Sequence, residues 1–256
     1  MVRLAVTGDL HIRMGDPGAV APGLAAASRG VDALLIAGDI TEHGRVAEAE
    51  LASLLLRVID VPIVAVMGNH DLRSLRRLAF RQTLATAGVT VLDGASVVLT
   101  ASDGLRIGFA GIAGCGGGFW PAEAPDAIHT KAWNAIAVRQ RREAAKLDEA
   151  LTRLEADVRI VLMHFAPTAS TLGDEPGAKY WMLGNGELGR VIDNHRVDLV
   201  LHGHAHLGNR IGATANGTLV RNVAFPVNSS VVQLLVDRSG IVESESLIAS
   251  AVGTGG

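Results

Sequence analysis

Three apolar segments near the start of the chain recur at thirty-residue intervals, and each ends in a glycine followed by a polar residue that can bind a metal. The polar residues are Asp9, Asp39 and Asn69. Continuous apolar runs of this kind are typical of strands buried on both faces of a sheet, and the segments between them have helical patterns. Because βαβ crossovers place consecutive strands in parallel, we expect these residues to share the C-terminal edge of one sheet.

The same patterns predict the other elements of the chain. The predicted strands cover residues 4–7, 33–37, 63–67, 89–92, 97–100, 106–110, 159–163, 198–201, 219–223, 231–236 and 241–247. The predicted helices cover residues 19–29, 44–59, 72–87, 130–156 and 186–194, and residues 253–256 are expected to fray. Two loops, residues 114–125 and 165–183, are long enough to be functional. Since no segment reads as a linker, we expect a single domain over residues 1–256.

Further polar residues follow the predicted strands. His11 stands two residues after Asp9, and the remaining candidates are His70, Asp71, His164, His204 and His206. Carboxylates, one carboxamide and several imidazoles in this number suit a pair of divalent cations, whereas one structural zinc needs only four ligands. Taken singly, Asp39 reads as a helix N-cap and His164 as a hydrogen-bonded histidine at a strand end. His202 is expected to stay outside the metal shell.

Five segments together resemble the motifs of the calcineurin-like metallophosphoesterases. In chain order they are Asp9-Leu10-His11, Gly38-Asp39, Gly68-Asn69-His70-Asp71, His164 and Gly203-His204-Ala205-His206. The resemblance implies a four-layer α/β/β/α sandwich of two mixed sheets flanked by helices. It also implies two metal sites, the first held by Asp9, His11, Asp39 and His206, and the second by Asp39, Asn69, His164 and His204.

The chemistry expected of such a site is hydrolysis of a phosphoester. Two ions about 3.5–4 Å apart would clamp the phosphoryl group, and a hydroxide bridging them would attack phosphorus in line with the leaving oxygen. The resemblance implies that His70 faces the substrate, where it would stabilise the leaving oxygen and pass it a proton. Asp71 is expected to orient His70. The ligand set accommodates manganese, iron, zinc or cobalt, and manganese or iron is favoured.

The substrate expected is a small phosphorylated molecule, most simply a nucleotide-like phosphodiester. A phosphomonoesterase or pyrophosphatase of the same family remains open, as does a non-catalytic scaffold that binds another protein. Gly38-Asp39 is followed by Ile40-Thr41-Glu42, whereas protein Ser/Thr phosphatases of this superfamily continue with Val-Asp-Arg-Gly. That subclass therefore ranks low.

Composition restricts the partners. The net charge is −3, with 26 acidic and 23 basic residues, and the absence of a basic tract argues against a nucleic-acid polymer as partner. Cys115 is the single cysteine, which fits a reducing compartment. The first strand begins at once, so we expect no secretory signal, and the most apolar stretch, residues 51–67, is too interrupted to cross a bilayer. We therefore expect a cytoplasmic protein, and the sequence does not indicate its oligomeric state.

Several residues have two interpretations. Arg73 and Arg76 either hold phosphate or, as we favour, belong to a solvated helix face. Aromatic residues of the two long loops either wall a substrate pocket or cover the edge of the core; they are Phe119, Trp120, Tyr180 and Trp181. Three histidines fit no motif and are expected at the surface or in packing; they are His43, His129 and His195.

Overall fold

A computed structural model describes residues 1–16, 21–123 and 131–242, which form twelve strands and seven helices. The strands are β1 (Val2–Thr7), β2 (Ala33–Ala37), β3 (Ile63–Val66), β4 (Val89–Leu92), β5 (Ala95–Thr100), β6 (Arg106–Ile112), β7 (Val158–Met163), β8 (Leu199–His202), β9 (Ile211–Ala213), β10 (Leu219–Asn222), β11 (Val232–Asp237) and β12 (Gly240–Val242). The helices are α1 (Ala21–Ala27), α2 (Val46–Leu56), α3 (Arg77–Ala85), α4 (Lys131–Arg153), α5 (Tyr180–Leu183), α6 (Gly186–Asp193) and α7 (Phe225–Asn228). Some predicted features lie outside the described residues. They are His129, the first residues of the predicted helix 19–29, the last residues of loop 114–125, the last residues of the predicted strand 241–247, and residues 253–256.

The strands form two mixed six-stranded sheets. The first has the order β12-β11-β1-β2-β3-β4, and the second has the order β5-β6-β7-β8-β10-β9. In the first sheet, β1 to β4 run parallel. The thirty-residue repeat predicted this for β1, β2 and β3, whereas β4 lies outside the repeat. In the second sheet, β6, β7, β8 and β10 run parallel while β5 and β9 pair antiparallel at the two edges.

Three apolar layers separate the sheets and helices, which gives the expected four-layer sandwich. Side chains alternate along each central strand, so that Leu35 of β2 lies between the two sheets while Leu34 faces the helices of the first sheet. On the other side, Leu147 of α4 and Ile192 of α6 pack against the second sheet. Both faces of the central strands are buried, which is why their sequences are continuously apolar rather than alternating.

The predicted helix 72–87 is broken in the structure. Asp71–Arg73 forms a short 3-10 turn, Ser74 has an extended backbone, and α3 starts only at Arg77. The side chain of Asp71 explains the break, because it is hydrogen-bonded to the backbone of residues 40, 41 and 68 and so ties this turn to the sheet. Loop 165–183 also contains a helix, α5, and α7 interrupts the β-rich end of the chain.

The sandwich brings the C-terminal ends of both sets of parallel strands to one edge. The ring of His164, after β7 of the second sheet, is hydrogen-bonded to the carbonyl oxygen of Ala37 in β2 of the first, with Nδ1 and the oxygen 2.9 Å apart. Across the part of the chain that the structure describes, no helix has the length and apolarity that a bilayer span requires. The extent of the domain as far as residue 256 stays a prediction.

Candidate metal centre

The backbone at the edge of the sandwich adopts an unusual conformation at the predicted ligands. Within the described residues, five non-glycine residues have a positive φ, and four of them are Asp9, His11, Asp39 and His204, with φ of 58°, 47°, 47° and 70°. A left-handed backbone at such residues costs on the order of 1–3 kcal/mol each and persists only where the surroundings enforce it. The fold therefore holds these side chains in place at a cost to its own stability.

Two glycines permit the close approach of the chain segments. A Cβ atom on Gly68 would lie 2.0 Å from Oδ1 of Asp39, and one on Gly203 would lie 2.3 Å from Oδ2 of Asp9. Both distances are far shorter than a van der Waals contact. The space that a side chain would take at these positions is occupied by the carboxylates of the centre.

The first cluster consists of Asp9, His11 and His206, whose ligand atoms all lie within 4.8 Å of one another. Oδ1 of Asp9 lies 2.9 Å from Nε2 of His206. Both carboxylate oxygens of Asp9 also accept hydrogen bonds from the backbone N–H of His204. Burial raises the pKa of Asp9, but the hydrogen bond from His206 and the charge of His164 outweigh it, so the pKa is lowered overall.

The ring of His11 is the clearest sign that a metal fits here. Both ring nitrogens are buried and have no hydrogen-bond partner among the described residues. Nδ1 lies only 2.9 Å from Oε2 of Glu42, but the direction of that contact does not suit a hydrogen bond. Since buried polar atoms are nearly always satisfied, a cation next to Nε2 accounts for this orphaned ring.

The second cluster consists of Asp39, His164 and His204, again with ligand atoms within 4.8 Å of one another, and Asn69 joins it. Because a carbonyl oxygen only accepts, Nδ1 of His164 donates to Ala37, which leaves Nε2 as an acceptor in the neutral ring. This Nε2 lies 2.9 Å from Oδ1 of Asn69 and 3.4 Å from Oδ2 of Asp39. Three acceptor atoms that face one another need a positive charge between them.

Asp39 connects the two clusters. Its Oδ2 lies 3.4 Å from Nε2 of His164 and 3.8 Å from Nε2 of His11. Its Oδ1 accepts a hydrogen bond of 2.8 Å from the backbone N–H of His70. Burial opposes ionisation of Asp39, but the charge of His164 and its hydrogen bond prevail and lower the pKa. An ionised carboxylate in this position has the geometry of a ligand shared by two ions.

The imidazoles of the second cluster have opposite pKa shifts. Burial lowers the pKa of His164, but the charge of Asp39 and its hydrogen bond reverse the shift and raise it to about 9. Burial together with the nearby charge of His164 lowers the pKa of His204 to about 3. Without metal, a proton on His164 supplies the positive charge that the acceptors require, and a bound cation would replace that proton.

Glu42 belongs to the site although the sequence analysis did not identify it. Nδ1 of His70 lies 2.6 Å from the backbone carbonyl oxygen of Glu42 and 3.4 Å from its Oε1. The Nδ1–H therefore donates to Glu42, and Nε2 of the same ring lies 4.0 Å from Oδ2 of Asp39. The available signal was an acidic residue three positions after Asp39, on the loop that leaves β2.

The expected contact between Asp71 and His70 is replaced by another arrangement. The buried carboxylate of Asp71 accepts hydrogen bonds from the backbone N–H groups of Gly68, Ile40 and Thr41 and from the hydroxyl of Thr41, over 2.8–3.1 Å. Burial and the charge of Asp39 raise the pKa of Asp71. Asp71 thus ties the loop after β2 to the loop after β3, and it acts on the centre through the backbone.

The other histidines lie apart from the centre. His202 is fully buried, and its Nε2 lies 2.8 Å from the hydroxyl oxygen of Thr171, which agrees with its exclusion from the metal shell. His43 and His195 pair with Glu48 and Asp148, each over 2.8 Å.

The arginine and aromatic candidates divide between the site, the core and the surface. Nη1 of Arg73 lies 3.2 Å from Nδ1 of His70. Arg73 and Arg76 are both exposed, so the preference for a solvated face stays a prediction. Phe119 packs against the small apolar cluster of loop 165–183, and the hydroxyl of Tyr180 donates to the carbonyl of Gly173. Trp120 is 83% exposed.

A four-layer sandwich with paired clusters of Asp and His at one edge is the arrangement of a binuclear metallohydrolase. A family model described as calcineurin-like phosphoesterase matches residues 2–208, and the chain belongs to that family. The clusters and the family together indicate a binuclear site for divalent metals and a phosphoester substrate.

Solved structures resemble the fold at low sequence identity. One crystal structure superposes with a TM-score of 0.63 at 13% identity, covering 93% of this chain and 95% of that chain. The crystal structure of TT1561 from Thermus thermophilus gives a TM-score of 0.53 at 14% identity, with the same coverage of 93% and 95%. A comparison with curated proteins found no match. At these identities the likeness shows the fold alone.

Proposed function

We propose that this chain hydrolyses a phosphodiester bond in a small or nucleotide-like substrate, with two divalent ions, manganese or iron, at the edge of the sandwich. One observation carries the proposal: Oδ2 of Asp39 faces Nε2 of His11 and Nε2 of His164, at 3.8 and 3.4 Å. An acceptor atom from the first sheet thus lies between two candidate clusters, and each cluster is completed by histidines that follow strands of the second sheet.

The proposed ligands divide between the two clusters. Asp9, His11, Asp39 and His206 would hold one ion, and Asp39, Asn69, His164 and His204 would hold the other. When bound, such a pair polarises the phosphoryl group and lowers the pKa of water, which supplies a nucleophile at neutral pH. The ligands determine the position of this reaction. Four of them have a left-handed backbone, and the rings of two of them are hydrogen-bonded to backbone carbonyl groups.

His70 is proposed to donate a proton to the leaving oxygen. Its backbone N–H is bound to Asp39 and its Nδ1–H to the carbonyl of Glu42, so the ring has a fixed position next to the clusters. The side chain keeps 19% exposure, which leaves it accessible to a substrate. General acid assistance of this kind contributes typically 10²–10⁴-fold to the rate.

The test uses protein loaded with manganese and the substrates bis(4-nitrophenyl) phosphate and 4-nitrophenyl phosphate. Asp39→Ala should lower kcat/KM by about 10³-fold or more, since a metal pair supplies several kcal/mol of transition-state stabilisation. His70→Ala should lower kcat by about 10²-fold or more while the metal content stays unchanged. His43→Ala, at a histidine outside the clusters, is the matched control. Full activity of Asp39→Ala would refute the mechanism.

The two alternatives give different results in the same experiment. A phosphomonoesterase or pyrophosphatase would favour the monoester or pyrophosphate over the diester. A protein-binding scaffold would hydrolyse neither, and elemental analysis would find it nearly free of metal. The complete set of candidate ligands supports the enzyme. The cytoplasmic location and the absence of a nucleic-acid partner remain predictions.

A further inference from the structure

A cleft of about 470 Å³ opens directly beside the candidate metal centre. Asn69 belongs to its wall and also to the second cluster, since its Oδ1 lies 2.9 Å from Nε2 of His164. One wall is formed by the segment that leaves β3, and the other is formed by α4. The cleft has the volume of a small-molecule site, and it is continuous with the place where the proposed reaction occurs.

The wall of this cleft is strongly basic in a protein that is slightly acidic overall. Five basic side chains line it, against two acidic ones, Asp93 and Glu143. The basic residues are Arg73, Arg77, Arg139, Arg142 and Lys146. The net charge of the whole chain is −3, so the positive charge is a local feature of the fold.

The two acidic side chains are already engaged with other groups. Nζ of Lys146 lies 2.7 Å from Asp93 and 3.0 Å from Glu143. The second carboxylate oxygen of Glu143 accepts a hydrogen bond from the backbone N–H of Gly114, and that of Asp93 lies 3.6 Å from Arg81. Neither carboxylate is therefore placed to neutralise the arginines.

The four arginines of the cleft have no acidic partner within 4.0 Å among the described residues, whereas other arginines such as Arg190 and Arg153 do. Arg73 and Arg77 stand on the side of the first sheet, and Arg139 and Arg142 stand one turn apart on α4. The planar guanidinium group presents a fork of donors that matches a phosphate group. Arginines without an acidic partner on two sides of a cleft thus favour a phosphate between them.

We infer that this basic cleft binds a second phosphate group of the substrate, so that the physiological substrate carries another phosphate beside the bond that is cleaved. The inference rests on the proposed function, because it takes the metal centre as the place of hydrolysis. It narrows the substrate from any small phosphodiester to a molecule with at least two phosphate groups.

The experiment measures binding with ligands that cannot be hydrolysed. Manganese-loaded protein is titrated calorimetrically with alkane-α,ω-bisphosphonates of increasing length and with alkylphosphonates of the same chain lengths. At the best length the second phosphonate should tighten binding by about tenfold or more. In the double variant Arg139→Ala/Arg142→Ala this gain should fall to about twofold or less. Arg141→Ala removes one positive charge from an exposed position of α4 outside the cleft, and it should keep the full gain.

Three results would overturn the inference: no length of bisphosphonate binds more tightly than its monophosphonate, the double variant retains the gain, or Arg141→Ala loses as much as the double variant. Hydrolysis of bis(4-nitrophenyl) phosphate, which has a single negative charge, is measured in parallel. The double variant should keep kcat/KM for it within about twofold, because the cleft has no second phosphate to bind. If the wild-type protein hydrolyses no phosphoester, the proposed function fails, and the calorimetric gain still decides whether the cleft binds phosphonate.

Discussion

The edge of the first sheet supplies all the oxygen atoms of the candidate centre, whereas the edge of the second sheet supplies only ring nitrogens. Asp9, Asp39 and Asn69 follow β1, β2 and β3, and His164 and the His204-Ala205-His206 segment follow β7 and β8. The first edge alone would place two buried carboxylates close together, and the charge of Asp39 indeed opposes ionisation of Asp9. The imidazoles of the second edge offset this repulsion.

The two edges also differ in how their side chains are held. On the first edge, Asp9, His11 and Asp39 all have a left-handed backbone, and on the second edge only His204 does. His164 is held instead by the hydrogen bond from its ring to Ala37 of the first sheet. The comparison teaches that the first edge is shaped by its own loops, while the second takes its orientation from the first.

The largest effect on metal content and activity is expected for Asp39, the ligand that faces both clusters, compared with a ligand that belongs to one cluster only. Asp39→Ala should lose both ions and about 10³-fold or more in kcat/KM, because its carboxylate faces both clusters. His206→Ala should lose one ion and keep the other. Elemental analysis after dialysis against manganese counts the ions. Equal metal loss in the two variants would show that Asp39 does not connect the clusters.

The next effect concerns the stability of the first edge. Asp71→Ala removes the acceptor of three backbone N–H groups and one hydroxyl, all buried, and should lower the free energy of unfolding by about 3 kcal/mol. Chemical denaturation of the metal-free protein measures it. Asp174→Ala, at an exposed acidic residue, should stay within about 0.5 kcal/mol of the wild type. If both variants behave alike, Asp71 does not hold the loops together.

A smaller effect is expected from the glycine beside Asp39. Gly68→Ala places a Cβ atom where Oδ1 of Asp39 lies, so it should displace this ligand and weaken metal binding by about 10–100-fold. Gly177→Ala is the control, because a Cβ there meets nothing within 4 Å. Metal competition with a chromogenic chelator gives the affinities. Unchanged affinity in Gly68→Ala would mean that the loop moves freely.

The last effect is a pH dependence of the second edge. The pKa of His164 is raised from 6.5 to about 9. In metal-free protein, the stability that His164 contributes is therefore fully present below pH 6.5 and is lost as the pH rises through about 9. Metal binding at pH 7 should release about one proton from His164, whereas His204, with its pKa lowered to about 3, should release none. Burial lowers the pKa of His206, but its hydrogen bond to Asp9 and the charge of Asp9 raise the pKa overall, so His206 should contribute a further fraction of a proton.

Calorimetry in two buffers with different ionisation enthalpies counts the protons released on metal binding. The number should fall as the pH approaches about 9, because His164 then loses its proton without metal. Binding at pH 7 without proton release would contradict the assigned protonation of His164.

Much of the candidate site could be predicted because its residues follow apolar strands within recognisable motifs. Asp9, Asp39 and Asn69 were placed by the repeat of the first sheet, and the histidines were placed by the order of the motifs. Glu42 was missed because an acidic residue on a surface loop has no pattern of its own. Asp71 was assigned to His70 by adjacency in the chain, but its carboxylate reaches the backbone of a different loop.

By itself, the sequence determined the parallel order of the first strands and the identity of the candidate ligands. Both can be recognised because continuous apolar runs and short motifs are formed by residues that are neighbours in the chain. Only the tertiary structure decided which atoms face one another. The contact between His164 and Ala37 and the basic cleft between α4 and the segment after β3 join parts of the chain that are far apart. Their geometry is set by the packing of four layers, and a side chain such as Arg139 looks like any exposed helical arginine until that packing is known.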